Sequence, residues 1–328
     1  MNRYLAMLLL VLFITACGGG KDTEFNEGDF VKAYKESSRV LDSDNPLDKL
    51  MARTYMSYLK NKKYYGSDIK YVSTKYKDKN IIIRSITNES EGLTITGLLA
   101  EPIDTSARYP GIVICHGYYP VESYFQGQGT EETMKIIARK GYVVLMTDYR
   151  GYYKSEGKSK VEYPGEFIDC MSAIQSLRKY ERVISEKVGV IGYSWGGGFA
   201  LRTLLVDDNL KCGVLYYPEL GGVDMPKKGN YNYLVNLGAS DEMIQDYFKK
   251  WSPLYYTAWL NAPVLIFHGK NDRTVLPEQS ITLEQMLKAN NKEVELIMFD
   301  DLPHAFADSP NNPSMKKLFE FLERKLKT

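Results

Sequence analysis

Histidine is scarce in this chain. Only His116, His268 and His304 occur among 328 residues, so chemistry that needs an imidazole base has few places to find one. Cysteine is scarce too. Beyond Cys17 there are Cys115, Cys170 and Cys212, an odd number that leaves at least one unpaired. Their spacing suits no metal site. Cys115 falls in a predicted strand, Cys170 on a predicted helix and Cys212 at a strand start, so all three read as core residues. There is no charge excess: 42 Lys and Arg stand against 41 Asp and Glu, a formal charge of +1, which removes the basic surface that nucleic-acid binding requires. No glycine-rich phosphate loop is present, because Gly18 to Gly20 follow a cysteine rather than a strand. No cofactor or metal is expected, and there is no internal repeat.

What is present is the composition of a globular protein, 44% hydrophobic and 25% charged. The length allows one large α/β domain with additions or two small domains. The 26 tyrosines fit strand faces as readily as a binding site. At the N-terminus, Arg3 precedes an apolar run of ten residues, Leu5 to Ile14. That is half of the roughly 20 that cross a bilayer and suits a secretory signal. The following Ile14-Thr15-Ala16-Cys17 resembles the lipobox of bacterial lipoproteins, cleaved before a cysteine that becomes lipid-modified. The expectation is a signal peptide over 1–16 and a lipidated tether over 17–28. Acyl chains on Cys17 would hold an extracytoplasmic protein to a membrane, on the periplasmic or the cell-surface side.

From 29 to 66 the apolar residues recur at three and four, as in Leu47, Leu50, Met51, Tyr55, Tyr58 and Leu59, which predicts a helical N-terminal extension. The period then changes. Strands are predicted over Lys70–Tyr76, Asn80–Thr87 and Leu93–Ala100, the first two joined at Asp78-Lys79-Asn80. Afterwards strands and helices alternate. Strands are expected at 111–115, 142–147, 187–191, 212–217, 263–267 and 293–299. Helices are expected at 130–140, 165–181, 198–207, 277–290 and 314–327. Such alternation predicts an α/β fold, with a mostly parallel sheet covered by helices on both faces and the antiparallel strands at one edge. This unit would occupy 67–328. Within it, a long irregular stretch over about 218–261 reads as a cap insertion. Its Tyr231, Tyr233, Trp251, Tyr255, Tyr256 and Trp259 would either contact substrate or form the cap's own small core.

The segment with the most chemical content is Gly192-Tyr193-Ser194-Trp195-Gly196-Gly197. It follows the apolar run Lys187 to Ile191 and precedes a helix, which is the context in which G-x-S-x-G becomes a nucleophile elbow. Serine is a poor nucleophile until a base sits at hydrogen-bond distance and a third group orients that base. On an α/β sheet the partners follow in the order serine, acid, histidine. Only His268 and His304 follow Ser194, and His268 lies too close to its own strand end, so His304 is the candidate base. Asp272 is the candidate acid, with Glu219, after the preceding strand, as the alternative. Asp300, Asp301 and Asp308 read as solvated loop charges. Asp148 and Arg150 read as braces of their own loop through local charge and hydrogen bonding. An oxyanion hole needs two backbone N–H groups. Trp195, the residue after the serine, and Tyr118, after the strand ending at His116, are the candidates.

Four segments together resemble the catalytic domain of prolyl oligopeptidase-type serine peptidases, a look shared with the dienelactone hydrolase and acetyl esterase branches of the α/β-hydrolases. They are Ile191 to Gly197, Asp148-Tyr149-Arg150-Gly151, His268-Gly269-Lys270-Asn271-Asp272 and Leu302-Pro303-His304-Ala305-Phe306. The resemblance spans roughly Leu93 to the C-terminus. It implies Ser194 as nucleophile, Asp272 as acid, His304 as base and oxyanion donors at Trp195 and Tyr118, acting on a small acyl ester or a peptide. Two departures bear on the substrate. About 70 residues between tether and hydrolase core are too few for the β-propeller that precedes this domain in peptide-cleaving members. The first oxyanion loop reads His-Gly-Tyr-Tyr, closer to some acetyl esterases than to the His-Gly-Gly of the peptidases.

Overall fold

The computed structural model describes residues 56–159, 164–221, 240–242, 252–308 and 312–328. The expected signal peptide, the tether with Cys17, most of the N-terminal extension and most of the cap lie outside the described residues. A short helix α1 (Met56–Asn61) leads into β1 (Lys70–Lys77), β2 (Ile81–Ser90), β3 (Leu93–Pro102) and β4 (Tyr109–Cys115). Then come α2 (Glu131–Arg139), β5 (Val143–Thr147), α3 (Gly165–Lys179), β6 (Val183–Tyr193), α4 (Trp195–Val206) and β7 (Gly213–Tyr216). The chain closes with β8 (Val264–Gly269), α5 (Glu278–Ala289), β9 (Val294–Phe299) and α6 (Met315–Leu322).

The strands form one nine-stranded sheet in the order β1-β2-β3-β5-β4-β6-β7-β8-β9. Pairing from β1 through β2 and β3 to β5 is antiparallel, and every pair from β5 to β9 is parallel. This is the α/β architecture expected, with the antiparallel strands at one edge. Strands β5, β7 and β8 are buried along their whole length, which is why their sequences are continuous apolar runs rather than alternations. The outermost strand β1 is exposed nearly throughout and carries three lysines, charges that discourage edge-to-edge association.

Alternation along each strand divides the core in two. Val113, Cys115, Leu145, Val190, Leu215 and Ile266 point to the face covered by α3, α4 and α5. Ile112, Ile114, Val144, Met146, Ile191 and Val214 point to the face covered by α2 and α6. The cysteines follow the same rule. Cys115 and Cys170 lie in the first core, with sulfurs 3.3 Å apart, and Cys212 lies in the second.

Two boundaries at the elbow differ from expectation. The elbow strand starts at Val183, not Lys187, and α4 starts at Trp195, three residues before the predicted 198. Three consecutive glycines weaken the helix signal of 196–198, but the helix needs them for close packing. A Cβ on Gly196 would stand 2.2 Å from the Cys115 carbonyl oxygen, and one on Gly198 would stand 2.1 Å from that of Glu219.

The bracing by Asp148 and Arg150 is also less local than expected. Arg150 binds Asp169 on α3 through its guanidinium (Nη2–Oδ1 2.8 Å) and its backbone N–H (2.7 Å), and it also reaches Glu91. Asp148 accepts hydrogen bonds from Tyr124 (2.7 Å), Gln126 (2.8 Å) and Thr96 (2.7 Å). Burial raises its carboxyl above the ordinary value, and those donors oppose the rise. Because Asp169 is fully buried and Arg150 nearly so, removing Asp169 leaves a buried guanidinium without its nearest carboxylate. Asp169→Ala is expected to cost about 3–5 kcal/mol of folding stability, measured by urea unfolding.

Candidate active site

Strand β6 lies in the middle of the sheet, and at its C-terminal end the chain reverses within one residue. Ser194 sits at φ 51° and ψ −119°, between Tyr193 on β6 and Trp195 on α4. An L-residue enters this region only under strain, and the neighbours hold it there. The Ser194 N–H donates to the Tyr216 carbonyl at 2.9 Å. Its own carbonyl accepts from the N–H groups of Gly197 at 2.8 Å and Glu219 at 2.9 Å. Glycine at 192 is required by space, since a Cβ there would meet the Gly196 carbonyl oxygen at 2.4 Å.

His304 comes from the loop after β9. Its Nε2 is 3.0 Å from Ser194 Oγ and its Nδ1 is 2.7 Å from Asp272 Oδ2. Tyr217, at the end of β7 with φ 39°, lays its ring against the imidazole at 4.6 Å between centroids. Asp272 lies in the loop after β8 and is 3% exposed. Its Oδ1 accepts the backbone N–H groups of Thr274 and Val275, each at 2.9 Å. Its Oδ2 also lies 3.2 Å from His268 Nε2. Burial works against the carboxylate charge, but hydrogen bonds from His268, His304, Val275 and Thr274 outweigh it and hold the carboxyl well below the usual range.

The residues proposed from sequence thus meet at one point. Glu219, the alternative acid, does not join them. Its Oε1 accepts the N–H of Gly221 at 3.0 Å, and burial raises its carboxyl while Arg202 pulls it down. Asp300 pairs with Lys270 in the open at 2.6 Å. Asp308 differs from a plain loop charge: desolvation pushes its carboxyl up to about 6, with His304 acting in the opposite direction. His268 and Tyr217 were missed as contributors. For His268 the available signal was its i,i+4 spacing to Asp272 across Gly269. Tyr217 had none.

The candidate oxyanion donors flank the serine. Trp195 is the first residue of α4, so its N–H has no partner within the helix. The N–H of Tyr118 makes no backbone hydrogen bond among the described residues. Its loop lies against the elbow, with a Cβ built on Gly117 only 3.5 Å from Ser194 Cβ. The rings of Tyr118 and Trp195 meet edge to face at 5.8 Å, and Tyr118 is 65% exposed. Among the described residues no group of three or more His, Cys, Asp or Glu could hold a metal ion.

Comparison with known proteins gives the family. The sequence profile of the dienelactone hydrolase family matches residues 95–320, more than half of the chain. The chain belongs to that family. It is therefore a hydrolase, in a family whose relatives are named as peptidases and esterases. It is 25% identical over 257 residues to the uncharacterized peptidase YtmA of Bacillus subtilis (strain 168), covering 75% of this chain and 95% of that one. An acylaminoacyl peptidase solved in complex with Z-Gly-Gly-Phe-chloromethyl ketone is 25% identical with a TM-score of 0.63, covering 76% of this chain and 42% of its own. The acetyl xylan esterase from Paenibacillus sp. R4 shares the fold at 19% identity and a TM-score of 0.68, covering 93% and 97%. Several other curated relatives are longer: the chain spans 34% of the uncharacterized peptidase YuxL of Bacillus subtilis (strain 168).

The depressed Asp272 carboxyl has a consequence for stability. Its folded pKa lies below the unfolded value of about 3.9, so the unfolded state binds more protons as pH falls through that window. The stabilisation is fully present above about pH 4 and is lost below it. Asp272→Asn is expected to flatten the acid limb of the stability–pH curve, measured by urea unfolding at a series of acidic pH values.

Proposed function

We propose that this protein is a serine hydrolase that cleaves carboxylic ester or amide bonds through an acyl-enzyme on Ser194. The observation that carries the proposal is the unbroken line from Asp272 Oδ2 through the His304 ring to Ser194 Oγ, at 2.7 and 3.0 Å. The carboxylate accepts Nδ1–H, which leaves Nε2 as the lone-pair nitrogen facing the hydroxyl. As Ser194 Oγ attacks the substrate carbonyl, Nε2 takes the serine proton and Asp272 stabilises the imidazolium. The N–H groups of Trp195 and Tyr118 hold the oxyanion. His304 then returns the proton to the leaving alcohol or amine. A water, deprotonated by the same nitrogen, attacks the acyl-enzyme and releases the acid and free Ser194.

A second reading within the same chemistry is a carboxylesterase acting on acylated small molecules or glycans. It is favoured by the oxyanion loop His116-Gly117-Tyr118, whose exposed Tyr118 ring stands edge-on to Trp195 and presents an aromatic surface beside the serine. Screening on short acyl esters against aminoacyl amides separates the two.

A fluorophosphonate probe should label the wild type and not Ser194→Ala, and Ser194→Ala or His304→Ala should lower turnover by about 10³-fold or more. Asp272→Asn should lower it by up to about 10⁴-fold, because the imidazole loses its fixed tautomer. Glu219→Gln should stay within a few-fold of wild type, and the reverse outcome would move the acid to Glu219. The lipobox-like Ile14 to Cys17 supports an extracytoplasmic protein anchored by lipid on Cys17. Cys17→Ser is then expected to shift it from the detergent to the aqueous phase in a Triton X-114 partition.

A further inference from the structure

We infer that His116 is a positioning residue for the oxyanion hole, its ring holding the Gly117 carbonyl so that the Tyr118 N–H at the other end of the same peptide faces the serine. The inference rests on the hydrolase reading above and on Tyr118 as an oxyanion donor.

His116 is completely buried immediately after β4. Its Nδ1 lies 2.7 Å from the Gly117 carbonyl oxygen. A carbonyl only accepts, so Nδ1 carries the proton. Burial lowers the ring's pKa to about 4 against the pull of the Gly117 carbonyl, so the imidazole is neutral at neutral pH. In a planar trans peptide the C=O and N–H point in opposite directions. Fixing the Gly117 carbonyl toward the buried ring therefore turns the Tyr118 N–H away from the interior, to the side where Gly117 packs on Ser194.

Little else fixes that peptide. Residues 116–119 form no strand or helix, and glycine at 117 makes rotation of its peptide cheap. Instead, side chains from the interior hold successive carbonyls of the loop. The Tyr149 hydroxyl donates to the His116 carbonyl at 3.0 Å, His116 holds that of Gly117, and the Tyr152 hydroxyl donates to that of Tyr119 at 3.1 Å. The imidazole is itself wedged in place, stacked on Tyr149 at 4.2 Å and on Tyr124 at 4.9 Å, with Tyr152 edge-on at 5.2 Å. A buried histidine satisfied by a nearby carbonyl would ordinarily be a packing residue. Here the carbonyl it satisfies is bonded to the nitrogen that would meet the oxyanion.

The test uses the full chain and a fluorophosphonate, whose phosphoryl oxygen needs the same hole as it reacts with Ser194. His116→Phe keeps an aromatic ring among the tyrosines and removes the donor. His116→Asn keeps an N–H near the position of Nδ1. The endpoint stoichiometry of labelling counts folded, competent sites, and the saturation kinetics separate the maximal labelling rate from the affinity of the probe. The expected result is a maximal rate lowered by about 10²-fold in His116→Phe, the order seen when an oxyanion donor is lost. Affinity and stoichiometry should stay unchanged, and His116→Asn should recover at least tenfold of the rate. Should the Phe variant not fold, Tyr149→Phe, which releases the preceding carbonyl, is expected to lower the maximal rate without changing affinity. A maximal rate per titrated site equal to wild type would overturn the inference, as would equal losses in the Phe and Asn variants. A wild type that is not labelled at all would overturn the hydrolase reading itself.

Discussion

The backbone of Ser194 is the constraint to which its surroundings are fitted. Holding an L-residue at φ 51° costs on the order of 1–3 kcal/mol, and it persists because both neighbours of β6 are engaged in it. Strand β7 supplies the Tyr216 carbonyl to the serine N–H. Strand β4 brings the Cys115 and His116 carbonyls so close to Gly196 that no side chain fits there. The same reversal starts helix α4 at once, which leaves the Trp195 N–H without a helical partner next to the hydroxyl. One strained residue thus decides where glycine must stand, which loop lies beside the serine and where an unsatisfied donor is exposed.

Two buried aspartates flank this elbow and are treated in opposite ways. Asp272 meets two imidazoles and two backbone N–H groups, and its carboxyl is held low. Asp148 meets a phenol, an amide and a hydroxyl, and burial raises its carboxyl. At Asp272 two imidazoles and two peptide N–H groups together outweigh desolvation, whereas at Asp148, which is completely buried, three side-chain donors only moderate it. The first arrangement keeps a charge available to orient His304. The second ties β3, β5 and the segment with Tyr124 and Gln126 together below residues 116–119.

The parallel sheet was legible because strands buried on both faces must be continuously apolar and the helices between them must be long enough to cross. The meeting of Ser194 with His304 was legible for a different reason: with three histidines in the chain, chain order left few choices. The sequence favours Asp272 with Glu219 as the alternative, and the two follow neighbouring strands, Glu219 after β7 beside the elbow strand and Asp272 after β8, one strand further out. What separates them is which loop bends back toward β9, a tertiary fact. Propensity misjudged the start of α4, because the glycines that lower helix tendency are there for close packing against Cys115 and Glu219. The partners of Arg150 and Asp148 were beyond sequence reading altogether, lying on α3, β3 and the loop after β4.

All three histidines stand at the carboxyl ends of parallel strands: His116 after β4, His268 at the end of β8 and His304 after β9. That edge is where ligands bind in open α/β sheets, and the chain spends imidazole nowhere else. The three rings divide the work by what each nitrogen faces. His304, half-buried, bridges the Asp272 carboxylate and the Ser194 hydroxyl. His268, fully buried, has Nδ1 against Ser280 and Nε2 between Val275 and Asp272, so its ring is fixed at both ends and holds the Asp272 carboxylate. His116 turns one nitrogen onto the backbone of its own loop. Burial lowers the His116 imidazole to about 4, because gaining a charge there is penalised, and that penalty suits this ring to hold geometry rather than to transfer protons.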